Sequence, residues 1–91
     1  MFLYCDIEPG KLNHPCELIS DYGDATLAIP KAQLDDLPQL ISEYCKKQDI
    51  TEVRLGGLHN LAAGIAEEIE AYNLTNYGEN KLNVEVIWVS I

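Results

Sequence analysis

The order of hydrophobic patterns along this 91-residue chain limits its fold more than any other feature. Three short runs typical of β-strands come first, at residues 2–7, 16–20 and 25–29. A helical pattern, a strand, a second helical pattern and a last strand follow. Because the first three runs are joined by short turns, we expect them to form an antiparallel meander.

Both helical patterns present one continuous apolar stripe. The first is predicted to begin at Asp36, whose carboxylate would cap it with Gln39 three residues later, and to end near Lys47. The second follows a strand at 50–55 and a Gly56-Gly57 turn. The first stripe contains Leu37, Leu40, Ile41, Tyr44 and Cys45, and the second contains Leu58, Leu61, Ala62, Ile65, Ile69 and Tyr72.

The last strand is predicted over residues 81–90, with Leu82, Val84, Val86 and Trp88 alternating on one face. Two strand–helix–strand crossovers place their strands parallel, because the helix returns the chain to the end of the sheet where the previous strand began. We therefore predict a single domain over 1–91 with an α/β fold, at the boundary with the α+β class. Its mixed five-stranded sheet would have the order 3-2-1-4-5 if the first strand pairs with the fourth.

This β-β-β-α-β-α-β order of elements resembles the ribonuclease H-like fold, which polynucleotide nucleases share with the halves of actin-like ATPases. The resemblance covers almost the whole chain and is one of topology, without a sequence motif. A ferredoxin-like α+β sandwich is the alternative, since strand pairing cannot be read from one sequence.

The charge is strongly negative. Fifteen acidic and six basic residues give a net charge of −9. Binding to nucleic acid or anionic lipid depends on lysine and arginine, so direct contact with either is disfavoured. A basic protein surface is the partner that this charge suits.

The three cysteines predict a cytoplasmic protein with reduced thiols. The number of cysteines is odd, and no C-x-x-C pair is present among Cys5, Cys16 and Cys45. The apolar run at the start, Met1–Cys5, is too short for a signal peptide. No window is apolar enough to cross a membrane. Cys5 and Cys45 fit the role of small buried hydrophobic residues.

The ribonuclease H-like resemblance implies metal-binding carboxylates on the first strand, the first helix, the end of the fourth strand and a later helix. Asp6 matches the first position and Glu43 loosely matches the second. Gly56 and Gly57 stand at the third, and no helix follows the last strand. Because two-metal catalysis needs several converging carboxylates, a metal-dependent nuclease is the least favoured function.

The segment Gly56-Gly57-Leu58 is a candidate anion site. Backbone N–H groups and a helix dipole at such a junction favour phosphate, and actin-like ATPases use a similar glycine pair. Those enzymes need two lobes, and this chain has at most one and lacks the complete phosphate-loop patterns. A degenerate nucleotide- or phosphate-binding domain is therefore the alternative function, and close packing of helix on sheet is the structural explanation.

Histidine and cysteine give no convincing metal or nucleophilic site. His14 and Cys16 are separated by one residue, whereas paired zinc ligands are usually separated by two to four. Cys16 with His14 or His59 has no motif that supports a nucleophile. We predict no catalytic residue, no metal and no cofactor.

The favoured function is a small, non-catalytic protein-binding or adaptor domain of the kind found in phages and mobile elements. It would present an acidic helix face or a sheet edge to a basic protein. A homodimer through the third strand, the last strand or the second helix is also expected, because free sheet edges favour association. The candidate contact residues are Glu67, Glu68, Glu70 and Glu79, with a second acidic group at Asp21, Asp24, Asp35 and Asp36.

Overall fold

The computed structural model describes residues 1–87, without the side chain of Lys11. Seven main elements form the fold, and two short 3₁₀ turns lie at Pro9–Lys11 and Leu34–Asp36. The main elements are β1 (Phe2–Ile7), β2 (Asn13–Ile19), β3 (Ala25–Lys31), α1 (Leu37–Gln48), β4 (Glu52–Gly57), α2 (His59–Tyr77) and β5 (Asn83–Val86).

The strands form one mixed sheet in the order β3-β2-β1-β4-β5. Strands β1, β2 and β3 form an antiparallel meander, while β1 pairs parallel with β4 and β4 pairs parallel with β5. The predicted sheet and its strand order are confirmed. The ferredoxin-like alternative is wrong, because its order of elements is β-α-β-β-α-β.

One face of the sheet is covered by helices and the other is open. In β1, Leu3, Cys5 and Ile7 are fully buried, while the alternate residues Phe2 and Asp6 are only partly buried. Helices α1 and α2 pack against each other, and their buried residues join those of β1 in one core cluster. We call the side of Leu3, Cys5 and Ile7 the covered face and the other side the open face.

The predicted helical stripes supply much of this core. Leu37, Ile41 and Cys45 of α1 are buried, and Leu40 and Tyr44 pack partly buried against them. In α2, Ala62, Ile65 and Ile69 are buried, whereas Leu58 precedes the helix and is largely exposed. Burying one such Leu or Ile side chain contributes roughly 1.5–3 kcal/mol.

Strand β2 begins three residues earlier than predicted. The turn-like residues Asn13, His14 and Pro15 belong to the strand, because an irregular register between Asn13 and Cys16 accommodates them. His14 has a φ of 72°, which non-glycine residues seldom adopt. A bulge of this kind lets a proline sit inside a sheet, because some N–H groups there make no ladder hydrogen bond.

The predicted cap of α1 is wrong. A 3₁₀ turn precedes the helix, and Asp36 already has helical angles (φ −89°, ψ −16°). Its side chain accepts no hydrogen bond from the amides of the helix. An effective capping residue needs an extended backbone to aim its oxygen at the first turn. Pro38 does lie in that turn, and Lys46 and Lys47 lie in the last turn, as expected.

Strand β5 is shorter within the described residues than the predicted 81–90. It spans Asn83–Val86, and the Ile87 amide still donates to the Leu55 carbonyl at 2.8 Å. The rest of the predicted strand, including Trp88, lies at 88–91, outside the described residues. No helix within residues 1–87 has the length and apolar character needed to cross a membrane.

The prediction of a reduced thiol at Cys5 and at Cys16 is wrong, because the structure joins these residues in a disulfide. They are direct partners across β1 and β2, with Cα atoms 4.1 Å apart. Antiparallel residues at positions without ladder hydrogen bonds approach this closely. Cys45 is free and buried, as expected.

Candidate functional site

A groove runs along the edge of the sheet between β5 and α2. Strand β5 is the last strand of the sheet, and the groove beside it has a volume of about 300 Å³. Helix α2 contributes one wall, and β5 with the segment before it contributes the other. The lining residues are Ala66, Glu67, Glu70, Asn80, Leu82, Asn83 and Val84.

The outer edge of β5 carries backbone groups that β4 does not use. The amides of Asn83 and Ile87 donate to carbonyls of Thr51 and Leu55, each at 2.8 Å. Because successive residues of a strand direct their N–H and C=O groups to opposite sides, those of Val84 and Val86 point away from β4. Within residues 1–87 no strand pairs with that edge.

Carboxylates flank this edge on both faces of the sheet. Glu67 and Glu70 are exposed on the α2 side. Glu85 lies between Val84 and Val86 and therefore points to the open face, where Arg54 Nε is 3.9 Å from its carboxylate. This exposed ion pair contributes little to stability, and the Glu85 side chain is still 67% exposed and accessible to a partner.

The other two residues of the predicted acidic face lie elsewhere. Glu68 is exposed on α2 but does not line the groove. Glu79 follows the helix and forms an ion pair with Lys81 at 3.2 Å. The structure therefore brings Glu67 and Glu70 together beside β5 and separates Glu68 and Glu79 from them.

The second acidic group is spread over two turns. Asp21 and Asp24 lie between β2 and β3, and the Asp21 carboxylate pairs with the N-terminal ammonium group. Asp35 and Asp36 lie in the 3₁₀ turn before α1. All four are exposed, and they line neither the groove beside β5 nor the cavity between the ends of α1 and α2.

The glycine pair forms the last two residues of β4, where this strand pairs with the end of β1. Gly57 has a φ of 91°, and a Cβ atom there would lie 2.6 Å from the Ile7 carbonyl oxygen. The next amide, that of Leu58, donates to the same Ile7 carbonyl at 3.1 Å. The positive φ and the close approach of Ile7 therefore explain why residue 57 is a glycine. The Leu58 amide already has an acceptor within the protein.

Packing against Tyr4 explains why residue 56 is a glycine. The Tyr4 ring lies over it, with Tyr4 Cζ 3.2 Å from the place that a Cβ atom would take. Asp6 is the register partner of Gly56 on the parallel strand β1. An anion near Gly56 would therefore meet the Asp6 carboxylate, which weakens the case for phosphate.

Asp6 and Glu43 are not brought together. Asp6 points to the open face, whereas Glu43 is on α1, which packs on the covered face. Glu43 Oε1 accepts hydrogen bonds from Tyr72 at 3.0 Å and Gln39 at 3.1 Å. Among the residues that the structure describes, no three His, Cys, Asp or Glu side chains cluster closely enough to hold a metal ion.

The combination of Cys16 with a histidine offers no nucleophile in this state. The Cys16 sulfur is bonded to Cys5, so it cannot form a thiolate. His14 is exposed in the β2 bulge, and His59 is the first residue of α2.

A second cavity, of about 220 Å³, lies between the C-terminal ends of α1 and α2. The buried Ser42 hydroxyl on its wall has no hydrogen-bond partner among the described atoms. Its walls carry charges of both signs, which favours neither a purely acidic nor a purely basic ligand. Lys46 lies 3.7 Å from the centre of the Tyr77 ring. The charged lining residues are Lys46, Asp49, Glu79 and Lys81.

Comparisons of the chain with protein-family models, with curated proteins and with solved structures found no match.

Proposed function

We propose that this protein is a small, non-catalytic binding domain that takes up a basic segment of another protein in the groove between β5 and α2. The observation that carries the proposal is the position of Glu67 and Glu70 beside a sheet edge whose outer backbone groups have no described strand to bond with. A groove of this kind combines a negative potential with unused hydrogen-bonding groups, which suits a lysine- or arginine-containing segment.

Other observations point the same way. The net charge of −9 draws basic partners from a distance and opposes non-specific contact with nucleic acid. The phosphate-binding alternative has less support, because the Leu58 amide donates to Ile7 and Asp6 stands beside Gly56. The nuclease has still less support, since Asp6 and Glu43 point to different sides of the sheet.

We also propose the cytoplasm as the compartment, because a secreted disulfide framework is expected to have an even number of cysteines and this chain has three. The Cys5–Cys16 disulfide is more typical of oxidising compartments, so rapid acid quenching and thiol alkylation of the cellular protein is the relevant test. Recovery of a stable disulfide in every molecule would count against the cytoplasm.

A homodimer through the outer edge of β5 is disfavoured by charge. Two copies pairing there would bring Glu67, Glu70 and Glu85 of each chain toward the same residues of the other. The expected homodimer is thus left to α2 or to β3, the other edge strand, where Pro30 and Lys31 end the strand. Sedimentation of the free protein tests for that dimer.

Binding of defined peptides tests the function. Fluorescein-labelled eight-residue peptides containing four lysines, one of alternating Lys and Val and one of Lys and Ala, would be titrated against the protein. We expect at least one to bind with an affinity that falls as NaCl rises from low to high concentration, because exposed charges are screened.

The matched variants have the same change in net charge. Glu67→Lys with Glu70→Lys should abolish peptide binding, whereas Asp24→Lys with Asp35→Lys, on exposed sites away from the groove, should weaken it only modestly. Equal loss in the two double variants would show that net charge alone drives binding. Absence of binding by every peptide would overturn the proposed function.

A further inference from the structure

We infer that the bound segment pairs with β5 as a sixth strand of the sheet. This inference rests on the proposed function and specifies how the basic segment is held. The partner is an extended segment of another protein, with its backbone hydrogen-bonded to the outer edge of β5 and its basic side chains beside Glu67, Glu70 and Glu85.

The backbone of β5 provides the first argument. Val84 and Val86 each present one N–H and one C=O group to the outer edge, as the alternation from Asn83 and Ile87 requires. An added strand can bond with all of these groups, which a helix cannot do because its own backbone groups are already paired. The short edge thus offers a repeated pattern of donors and acceptors.

The groove provides the second argument. The side chains of Val84 and Val86 lie on the α2 side, since each is the register partner of a buried β4 residue, Val53 or Leu55. A residue opposite Val84 on an added strand would point to the same side, into the space beside Glu67 and Glu70. A lysine or arginine fits there, because its stem can lie along Ala66 while its charge reaches the carboxylates.

The open face sets the chemistry of the next position. A residue opposite Glu85 would point to the open face and lie within about 5 Å of Glu85 at the Cβ atoms. A basic residue is favoured there as well. The residue opposite Val86 points back to the α2 side, beside a half-buried valine, and is expected to be apolar. The preferred segment therefore combines basic residues with apolar ones, as an alternating Lys-Val strand does.

Charge decides between this occupant and a second copy of the chain. The strand residues that a second β5 could place opposite Glu85 are those of Asn83–Val86, which contain an acidic residue and no basic one. Like charges directly across a strand pair are destabilising. A basic segment from another protein removes this repulsion, and a second β5 adds to it.

N-methylated peptides separate strand addition from binding by charge alone. An added strand uses the amides of alternate residues, and N-methylation removes the amide proton without changing the charge. Three forms of the Lys-Val peptide would be compared: unmethylated, methylated at every lysine amide, and methylated at every valine amide. We expect one methylated form to bind at least about tenfold more weakly and the other to stay within about threefold of the unmethylated peptide.

Amide hydrogen exchange of the unmodified protein provides the second measurement. With the unmethylated peptide bound, the Val84 and Val86 amides should exchange at least about tenfold more slowly than in the free protein. The amides of Asn83 and Ile87, already bonded to β4, should change little.

The outcomes distinguish the two proposals. If all three peptide forms bind alike and binding still needs Glu67 and Glu70, the protein binds basic segments but strand addition is wrong. Preference for the Lys-Ala peptide, with no slowing at Val84 and Val86, would lead to the same conclusion. If no peptide binds, the proposed function fails and strand addition fails with it.

Discussion

The Tyr72 hydroxyl on α2 donates a hydrogen bond to the Glu43 carboxylate on α1, with 3.0 Å between the two oxygens. The contact joins the two helices across a separation of 29 residues in the chain. Gln39 donates to the same Glu43 oxygen from one turn earlier. Glu43, which the resemblance to nucleases had suggested as a metal ligand, therefore has a structural role in this fold.

This contact predicts a change in stability at high pH. Burial disfavours the phenolate, and Glu43 accepts a hydrogen bond from the neutral hydroxyl group and repels negative charge. Together with a smaller effect of Tyr77, these interactions raise the pKa of Tyr72 to about 12. A free tyrosine ionises near pH 10, so the unfolded chain loses this proton first. The stabilising contribution of Tyr72 is complete below about pH 10 and disappears as pH rises toward 12.

Urea denaturation at about pH 9 and at about pH 11.5 measures the effect. The free energy of unfolding should fall between the two pH values, and it should fall less in Tyr72→Phe, which has no hydroxyl to ionise. Tyr22→Phe is the control, because that side chain is 94% exposed. The same fall in both variants would contradict the role assigned to Tyr72.

The Cys5–Cys16 bond predicts a loss of stability on reduction. It closes a loop over a sequence separation of 11 residues, which in the chain-entropy treatment stabilises the fold by about 3 kcal/mol. Urea denaturation with and without reductant should show a loss of this size. A Cys5→Ala, Cys16→Ala variant should have a lower free energy of unfolding than the oxidised protein, and reductant should not change it.

Thiol titration in denaturant provides a direct count for the same bond. The purified, unreduced protein should show one thiol, that of Cys45, and the reduced protein should show three. Cys45→Ala should bring the first count to zero. Three thiols before reduction would show that Cys5 and Cys16 do not form the bond in solution.

The free thiol of Cys45 should react only when the protein unfolds. Burial raises the pKa of the Cys45 thiol to about 12, and 1% of the residue is exposed. At about pH 8 the native thiol is therefore protonated and shielded, and iodoacetamide should modify it slowly. Added urea should accelerate modification in step with the unfolded fraction. Rapid modification of the folded protein would contradict the packing of α1 on the sheet.

Gly57 should be among the positions least tolerant of a side chain. Its φ of 91° opposes alanine, and so does the Ile7 carbonyl oxygen, which lies 2.6 Å from the place that a methyl group would take. Gly57→Ala should lower the free energy of unfolding by at least about 1 kcal/mol. Gly64→Ala is the matched control, since Gly64 is exposed within α2 and an added Cβ atom would meet no other part of the protein within 4 Å. It should raise stability by about 0.5–1 kcal/mol.

The sheet was predictable because its connections leave few choices. Short turns such as the one around Gly23 require antiparallel neighbours, and right-handed crossovers require β4 and β5 to be parallel with their neighbours in the sheet. The helical stripes were predictable because Ile41 and Ile69 recur at the helical period with other apolar residues. In contrast, the buried Asn73 interrupts the second stripe, and it is explained only by its hydrogen bond to Asn80 at 2.9 Å.

The disulfide and the groove were not predictable, because both depend on register. Cys5 and Cys16 become neighbours only when β1 and β2 pair with Phe2 opposite Ile19, and the odd cysteine count concealed the pair. Likewise, the sequence grouped Glu68 and Glu79 with Glu67 and Glu70. The rotation of α2 about its own axis and the path of the chain after this helix determine which of these four glutamates face β5.

The central position of β1 has a consequence for the order of folding during synthesis. This strand leaves the ribosome before the others described here, and it can pair with β2 once about 20 residues are available, well before its other neighbour, β4, has been made. Until residue 57 emerges, the inner edge of the hairpin has no partner. The interval between these two pairings is when the nascent chain most needs protection from other nascent strands.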